Sequence, residues 1–229
     1  MSAAQKKSSS GKEAANTHRF IVFEGPIGVG KTSLATRIAE SLSAELLLEH
    51  ADQNPFLERF YRNPRSGALP AQLYFLFQRA QQLVALKQHD LFAPVRVADY
   101  LFDKDRLFAR LTLEDEEFRL YEQVHARLAV DAPTPDLVVY LQAPVDVLLE
   151  RIARRGIRYE HYIERAYLER VHAAYARFFH EFSGAPLLIV NAAAIDPLNN
   201  ASDFDELLGA IRRMRRGRLY YNPMRHQAI

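Results

Sequence analysis

The stretch "FEGPIGVGKTSLA", from Phe23 to Ala35, constrains this chain more than any other. It fits G-x-x-x-x-G-K-[ST], with Gly25, Gly30, Lys31 and Thr32 in the fixed places. Before it, "RFIVFE" is an apolar, β-branched run that reads as a short buried strand over Phe20–Glu24. After it, "TSLATRIAESLSA" places Leu34, Ile38 and Leu42 on one face of a helix. Strand, glycine turn and helix in this order form a cradle for a nucleotide phosphate. The backbone N–H groups of residues 28–32 can wrap the anion, and the positive end of the helix dipole faces it. The run Gly25, Pro26, Ile27, Gly28, Val29, Gly30, Lys31, Thr32 and Ser33 is therefore the expected binding loop for a triphosphate. Within it Lys31 bridges the β- and γ-phosphates, and the Thr32 hydroxyl is an expected Mg²⁺ ligand.

The rest of the chain extends that unit. Short apolar runs at 46–49, 95–99, 137–141 and 187–190 read as further strands. Helical stretches run over 31–43, 70–89, 101–130, 144–155, 160–182 and 202–213. "NPRSGALP" (63–70) and "DAPTPD" (131–136) read as loops. Alternating β and α segments imply an α/β, three-layer fold of the phosphate-loop (P-loop) NTPase type, with a five-stranded parallel sheet between helices. The 229 residues suit one domain. We expect it over 19–213, with a disordered polar tail at 1–18 and a basic C-terminal tail at 214–229. In open parallel sheets ligands bind beyond the carboxyl ends of the strands. That rule brings the glycine loop, Glu49 and Asp99 to one crevice.

Composition excludes several alternatives. The chain has no cysteine, which removes thiol nucleophiles and disulfides and suits a reducing, cytoplasmic setting. Thirty basic residues against 28 acidic ones leave a formal charge of +2, too little to hold nucleic acid over the whole surface. No apolar run approaches the ~20 residues of a membrane span. Neither N-K-x-D nor a D-x-x-G after the third strand occurs, which argues against a GTP switch.

Four groups of side chains carry the expected chemistry. Glu49 closes "ELLLEH", where a carboxylate can accept a proton from an attacking hydroxyl; the plainer reading is a solvated charge. Asp99, after "VRVA", suits a Mg²⁺ partner or a helix N-cap. Gln72 and Arg79 are seven apart in "AQLYFLFQRAQQL", within about 20° on one helix face. With Phe75 near enough to stack, they suit the edge of a nucleobase. Arg151, Arg154, Arg155 and Arg158 cluster around Gly156, forming an Arg-rich lid that could close over a transferring phosphoryl group. "RRMRRGR" (212–218) lacks interleaved aromatics and reads as a basic helix end, without stable nucleic-acid binding.

Taken together, "IVFEGPIGVGKTSLA", Glu49, "NPFLERFY", Gln72 with Arg79, the Arg-rich hairpin and "YLERVHAAYARFF" resemble the deoxyribonucleoside kinases over about residues 19–213. The resemblance implies ATP and Mg²⁺, a small-molecule nucleoside as substrate, and a homodimer. It implies that Glu49 activates the nucleoside 5′-hydroxyl, that Tyr61 and Glu160 hold the 3′-hydroxyl, and that Gln72 meets the base with Arg79 beside it. Arg151, Arg155 and Arg158 match lid arginines at the donor phosphates. The chain departs from the family where an acidic residue, Arg and Ser are usual: here Asp99 precedes Tyr100 and Leu101. Lys104 or Arg106 is then the candidate for the missing arginine's work. Arg79 with Asp103 or Asp105 leans toward purines. Thymidylate kinase and a nucleotide-binding regulatory protein are the alternatives.

Overall fold

The computed structural model describes residues 18–88, 95–128 and 132–223. Six parallel strands form one sheet in the order β2-β3-β1-β4-β5-β6. They are β1 (Phe20–Glu24), β2 (Glu45–Leu47), β3 (Arg96–Ala98), β4 (Leu137–Gln142), β5 (Leu187–Asn191) and β6 (Arg218–Tyr221). The helices are α1 (Lys31–Leu42), α2 (Leu57–Arg62), α3 (Pro64–Gln88), α4 (Lys104–Thr112), α5 (Asp115–Leu128), α6 (Val145–Arg155), α7 (Arg165–Glu181) and α8 (Ala201–Arg213).

The strand period of two explains the layering. Ile21 and Phe23 of β1 enter a core with Leu34 and Ile38 of α1, Leu148 and Ile152 of α6, and Leu207 and Ile211 of α8. Phe20 and Val22 enter the opposite core with Val171, Tyr175 and Phe179 of α7. All five residues of β1 are buried, as a central parallel strand requires. β1 lies between β3 and β4, so its carboxyl end opens at the centre of the sheet. That is where the glycine loop begins.

Four expectations need correction. The sheet has six strands rather than five. "RLYY" adds β6 beside β5 inside the segment expected to be only a basic tail. Its residues are mostly exposed, so it carries no buried alternation that a sequence reading could detect. Arg218 is also no loose charge: its Nη2 donates to the carbonyls of Phe179, His180 and Phe182 at the end of α7.

Residues 63–70 are not a loop but lie at the start of α3. Pro64 stands where a helix tolerates proline. Gly67 is there for close packing: a Cβ at this position would come within 2.4 Å of the Phe60 backbone on α2. Residues 101–130 do not form one helix either. Leu113 is extended, which ends α4 and allows α5 to start at Asp115. Of the expected N-terminal tail, 1–17 lie outside the described residues. His18 is buried, with Nε2 3.0 Å from the Ile211 carbonyl. Residue 89, residues 129–131 and residues 224–229, at the ends of two expected helices, the start of a loop and the end of the expected basic tail, also lie outside them.

Candidate active site

The glycine loop turns sharply out of β1. Gly28 has φ of +83°, and a Cβ there would lie 2.9 Å from the Leu148 carbonyl, so the loop hugs α6 as only glycine allows. Lys31, the first residue of α1, folds its ammonium over this hollow and donates to the carbonyls of Gly25 (2.7 Å) and Pro26 (3.3 Å). Burial and repulsion from Lys104 hold its pKa below the usual lysine value. Pro26 and Val29 are buried under the loop, Val29 in the main core, while Gly25, Ile27, Gly28, Gly30, Lys31, Thr32 and Ser33 line the cavity.

The third strand ties the loop to the second. The Thr32 hydroxyl donates to Asp99 Oδ2 at 2.5 Å, and Asp99 Oδ1 accepts the Glu49 N–H at 2.8 Å. The Asp99 carboxylate therefore joins the start of α1 to the end of β2. It does not cap α4, which begins five residues later.

Glu49 sits in a cluster of cations. Arg79 donates to its Oε1, and Lys104 Nζ lies 3.0 and 3.1 Å from its two oxygens. Burial alone would raise the pKa of this carboxyl. Lys104, Arg79 and Lys31 outweigh that effect and bring it down to about 2. Arg79 is itself 3% exposed, and its Nη1 pairs with Asp105. Of the two aspartates considered for an Arg/Asp pair, Asp105 is thus the one that meets the arginine. The guanidinium packs between the rings of Phe75 and Tyr100, and its Nε is buried with no partner among the described residues.

Opposite the loop, Tyr61 stacks on Tyr159 and meets Tyr167 edge-on. Burial pushes the Tyr61 phenol well up, so it stays a hydrogen-bond donor. Glu160 accepts two hydrogen bonds from Arg155, at 3.0 and 2.6 Å. Gln72 is buried and donates to Thr112 at 3.3 Å. A cavity of about 450 Å³ takes in Glu49, Tyr61, Gln72, Phe75, Arg79, Asp99, Arg155 and Glu160 together with the loop. That volume suits a small organic ligand.

Arg151 and Arg158 are not among the residues that line this cavity. Arg151 stands one turn before Arg155 on α6, close under the loop, where its guanidinium is taken by the carbonyls of Val29 and Ala192. Arg158 is exposed in the 3-10 turn Arg158–Tyr162. Arg106 pairs with Glu122 away from Glu49, so of the two cations considered beside Asp99 only Lys104 reaches the carboxylate. Glu24 escaped the sequence reading. It ends β1 as Glu49 and Asp99 end their strand segments, and the strand-end rule should have singled it out. It is fully buried and bonded to Gly25, Leu101 and Tyr175.

A family model described as deoxynucleoside kinase matches residues 21–214. A deoxyguanosine kinase from Bacillus subtilis (strain 168) is 33% identical over 205 residues, 87% of this chain and 99% of the relative. A deoxyadenosine kinase from Dictyostelium discoideum is 30% identical over 202 residues, 84% and 78% of the two chains. In fold, a solved deoxyadenosine kinase from M. mycoides with dCMP and dCDP bound has a TM-score of 0.73 at 21% identity. That match covers 84% of this chain and 98% of the other.

Proposed function

The chain belongs to the deoxynucleoside kinase family, and from that premise we propose how its crevice divides the work. The reaction moves the γ-phosphoryl group of ATP to the 5′-hydroxyl of a deoxyribonucleoside, giving ADP and the 5′-monophosphate. The observation that carries our assignment of roles is the place of Glu49. It stands across one cavity from the glycine loop, at the end of β2, clamped by Arg79 and Lys104.

The loop amides, Lys31 and Arg155 hold the donor phosphates and offset the charge that develops as the phosphoryl group moves. Arg151 braces the loop from beneath through the Val29 carbonyl. Arg158 is exposed and outside the cavity lining, and we give it no contact with the phosphates in this arrangement. Thr32 and Asp99 offer hard oxygen donors side by side, which suits Mg²⁺. The ion, when bound there, would supply further neutralisation of phosphate charge. Glu49 accepts a hydrogen bond from the 5′-hydroxyl. A carboxylate of such low proton affinity orients the oxygen first and takes the proton as the bond to phosphorus forms. A monophosphate acceptor, as in thymidylate kinase, would bring a dianion against this carboxylate. Tyr61 and Glu160 take the 3′-hydroxyl, so Tyr61→Phe should chiefly raise KM.

At the base end we assign Gln72, Phe75 and Arg79 to the nucleobase. Arginine donates well to the N7 and O6 edge of guanine, and Asp105, buried behind it and outside the cavity lining, holds its Nη1. The unpartnered Arg79 Nε supports a ligand contact there. We therefore expect purine deoxynucleosides to lead. Measured kcat/KM for the four deoxynucleosides should favour a purine by at least about tenfold, and Asp105→Asn should remove most of that margin. A pyrimidine in first place, with Asp105→Asn neutral, would refute the base assignment.

No helix among the described residues is long and apolar enough to cross a membrane. The cysteine-free composition suits the cytoplasm, where we place the reaction. We take residues 18–221 as one kinase domain, since β6 pairs with β5. Phe77 and Val84 on α3 and Leu120 on α5 are 48%, 49% and 48% exposed, an apolar surface that a second copy could cover. Sedimentation should then show twice the 26.3 kDa chain mass, and a monomer at micromolar concentration would remove the dimer.

A further inference from the structure

We propose that Lys104 is the positioning cation for Glu49, and that Glu24 fixes Lys104 from the phosphate-loop side. This rests on the reading of Glu49 as the carboxylate that receives the acceptor hydroxyl. Lys104 opens α4 and is 3% exposed. Its Nζ reaches both oxygens of Glu49, at 3.0 and 3.1 Å, and lies 3.6 Å from Glu24 Oε2.

Glu24 cannot easily shift. Its Oε1 accepts from the Gly25 N–H and the Tyr175 hydroxyl, each at 2.8 Å, and its Oε2 accepts from the Leu101 N–H at 2.8 Å. One buried carboxylate thereby joins β1, the glycine loop, α7 and the turn into α4. That turn closes with the Lys104 N–H donating to the Leu101 carbonyl, which sets where the lysine side chain starts. The result is a row from the buried Glu24 through the buried Lys104 to the half-buried Glu49, running from the loop to the acceptor side.

Two features argue that the lysine serves Glu49 more than it serves Glu24. It is nearer to Glu49, and Glu24 already has three donors without it. Arg79, the other cation on Glu49, meets only one oxygen and also holds Asp105. Arg79 is thus shared between two carboxylates, whereas Lys104 reaches both oxygens of Glu49 and holds that carboxylate in place. Lys31 is a cation too, but its hydrogen bonds go to the loop carbonyls. Lys104 therefore does the work that an arginine after Asp99 would do, from a position five residues on.

The test is a cycle of Lys104→Met, Glu49→Gln and the double variant, with kcat, both KM values and thermal melting for each. In Lys104→Met we expect kcat to fall by about 30-fold, with both KM values within about threefold, because a small misplacement of a reacting group costs that much. In the Glu49→Gln background the same lysine change should cost little, since its partner is gone. Lys104→Arg, which keeps the charge, should recover part of the loss. Unchanged kcat in Lys104→Met with lowered melting would overturn the proposal and leave the lysine a structural ion partner. A loss equally large in both backgrounds would also overturn it. Full turnover in Glu49→Gln alone would instead defeat the reading of Glu49. If Lys104→Met does not fold, Lys104→Gln makes the same comparison with a neutral donor in its place.

Discussion

Lys31→Ala is expected to lose about three orders of magnitude in kcat while remaining folded, because removing one preorganised charge donor from a transition state costs that much. The ammonium lies over the hollow of the loop, on the Gly25 and Pro26 carbonyls, where a β- or γ-phosphate oxygen would meet it. Arg151 cannot take its place, since the Val29 and Ala192 carbonyls hold its guanidinium. The fold should not suffer. Burial holds the Lys31 pKa below its usual value, so its charge adds no stability to the folded chain at neutral pH. Steady-state turnover with saturating nucleoside, alongside a melting curve, checks both halves. Turnover within tenfold of wild type would remove Lys31 from the transition state.

Glu49→Gln is expected to lower kcat by about two to three orders of magnitude, the usual weight of a well-placed proton acceptor. Glutamine keeps the shape and offers one acceptor oxygen, so the nucleoside KM should move little. Stability should fall by about 2 kcal/mol, because Arg79 and Lys104 each lose a partner in a buried site. Asp105 and Glu24 remain to them and limit the loss. The pH dependence has a definite sign. The carboxyl is held at about 2 in the folded chain, below its ordinary value of 4.5. Its contribution is complete above pH 4.5 and is lost as pH falls from there toward about 2. Acid unfolding of wild type and Glu49→Gln should therefore converge at low pH. A constant gap across that window would contradict the ion-pair assignment.

What the sequence made legible follows from chemistry that is local in the chain. The glycine loop, the strand before it and the helix after it are contiguous, and their pattern survives any tertiary context. Glu49 and Asp99 follow from a topological rule about strand ends. The four buried strands and the partly exposed β2 appear as apolar runs, whereas β6, exposed at the other edge, has no such mark. Residues 63–70 misled because Pro64, Gly67 and Pro70 are turn residues by propensity. The close crossing of α2 and α3 that calls for Gly67 exists only in three dimensions.

The electrostatic network was the least readable part. Lys104 and Asp105 are adjacent in sequence but face different partners, Glu49 and Arg79, which no periodicity reveals. Glu24 lies inside the apolar strand beside the glycine loop, and its partners Leu101 and Tyr175 are distant in the chain. Family resemblance carried over Arg151 and Arg158 by position. The backbone carbonyls that hold Arg151 belong to the loop and to the end of β5, far apart in the chain.

The most direct measurement is phosphoryl transfer from γ-labelled Mg·ATP to a panel of the four deoxynucleosides, their ribose counterparts and thymidine monophosphate, with Lys31→Ala as blank. We expect label at the 5′-position of one or more deoxynucleosides, with a purine leading, and none in the blank. Label only on thymidine monophosphate, or no transfer to any acceptor, would contradict the roles assigned to Glu49, Tyr61 and the glycine loop.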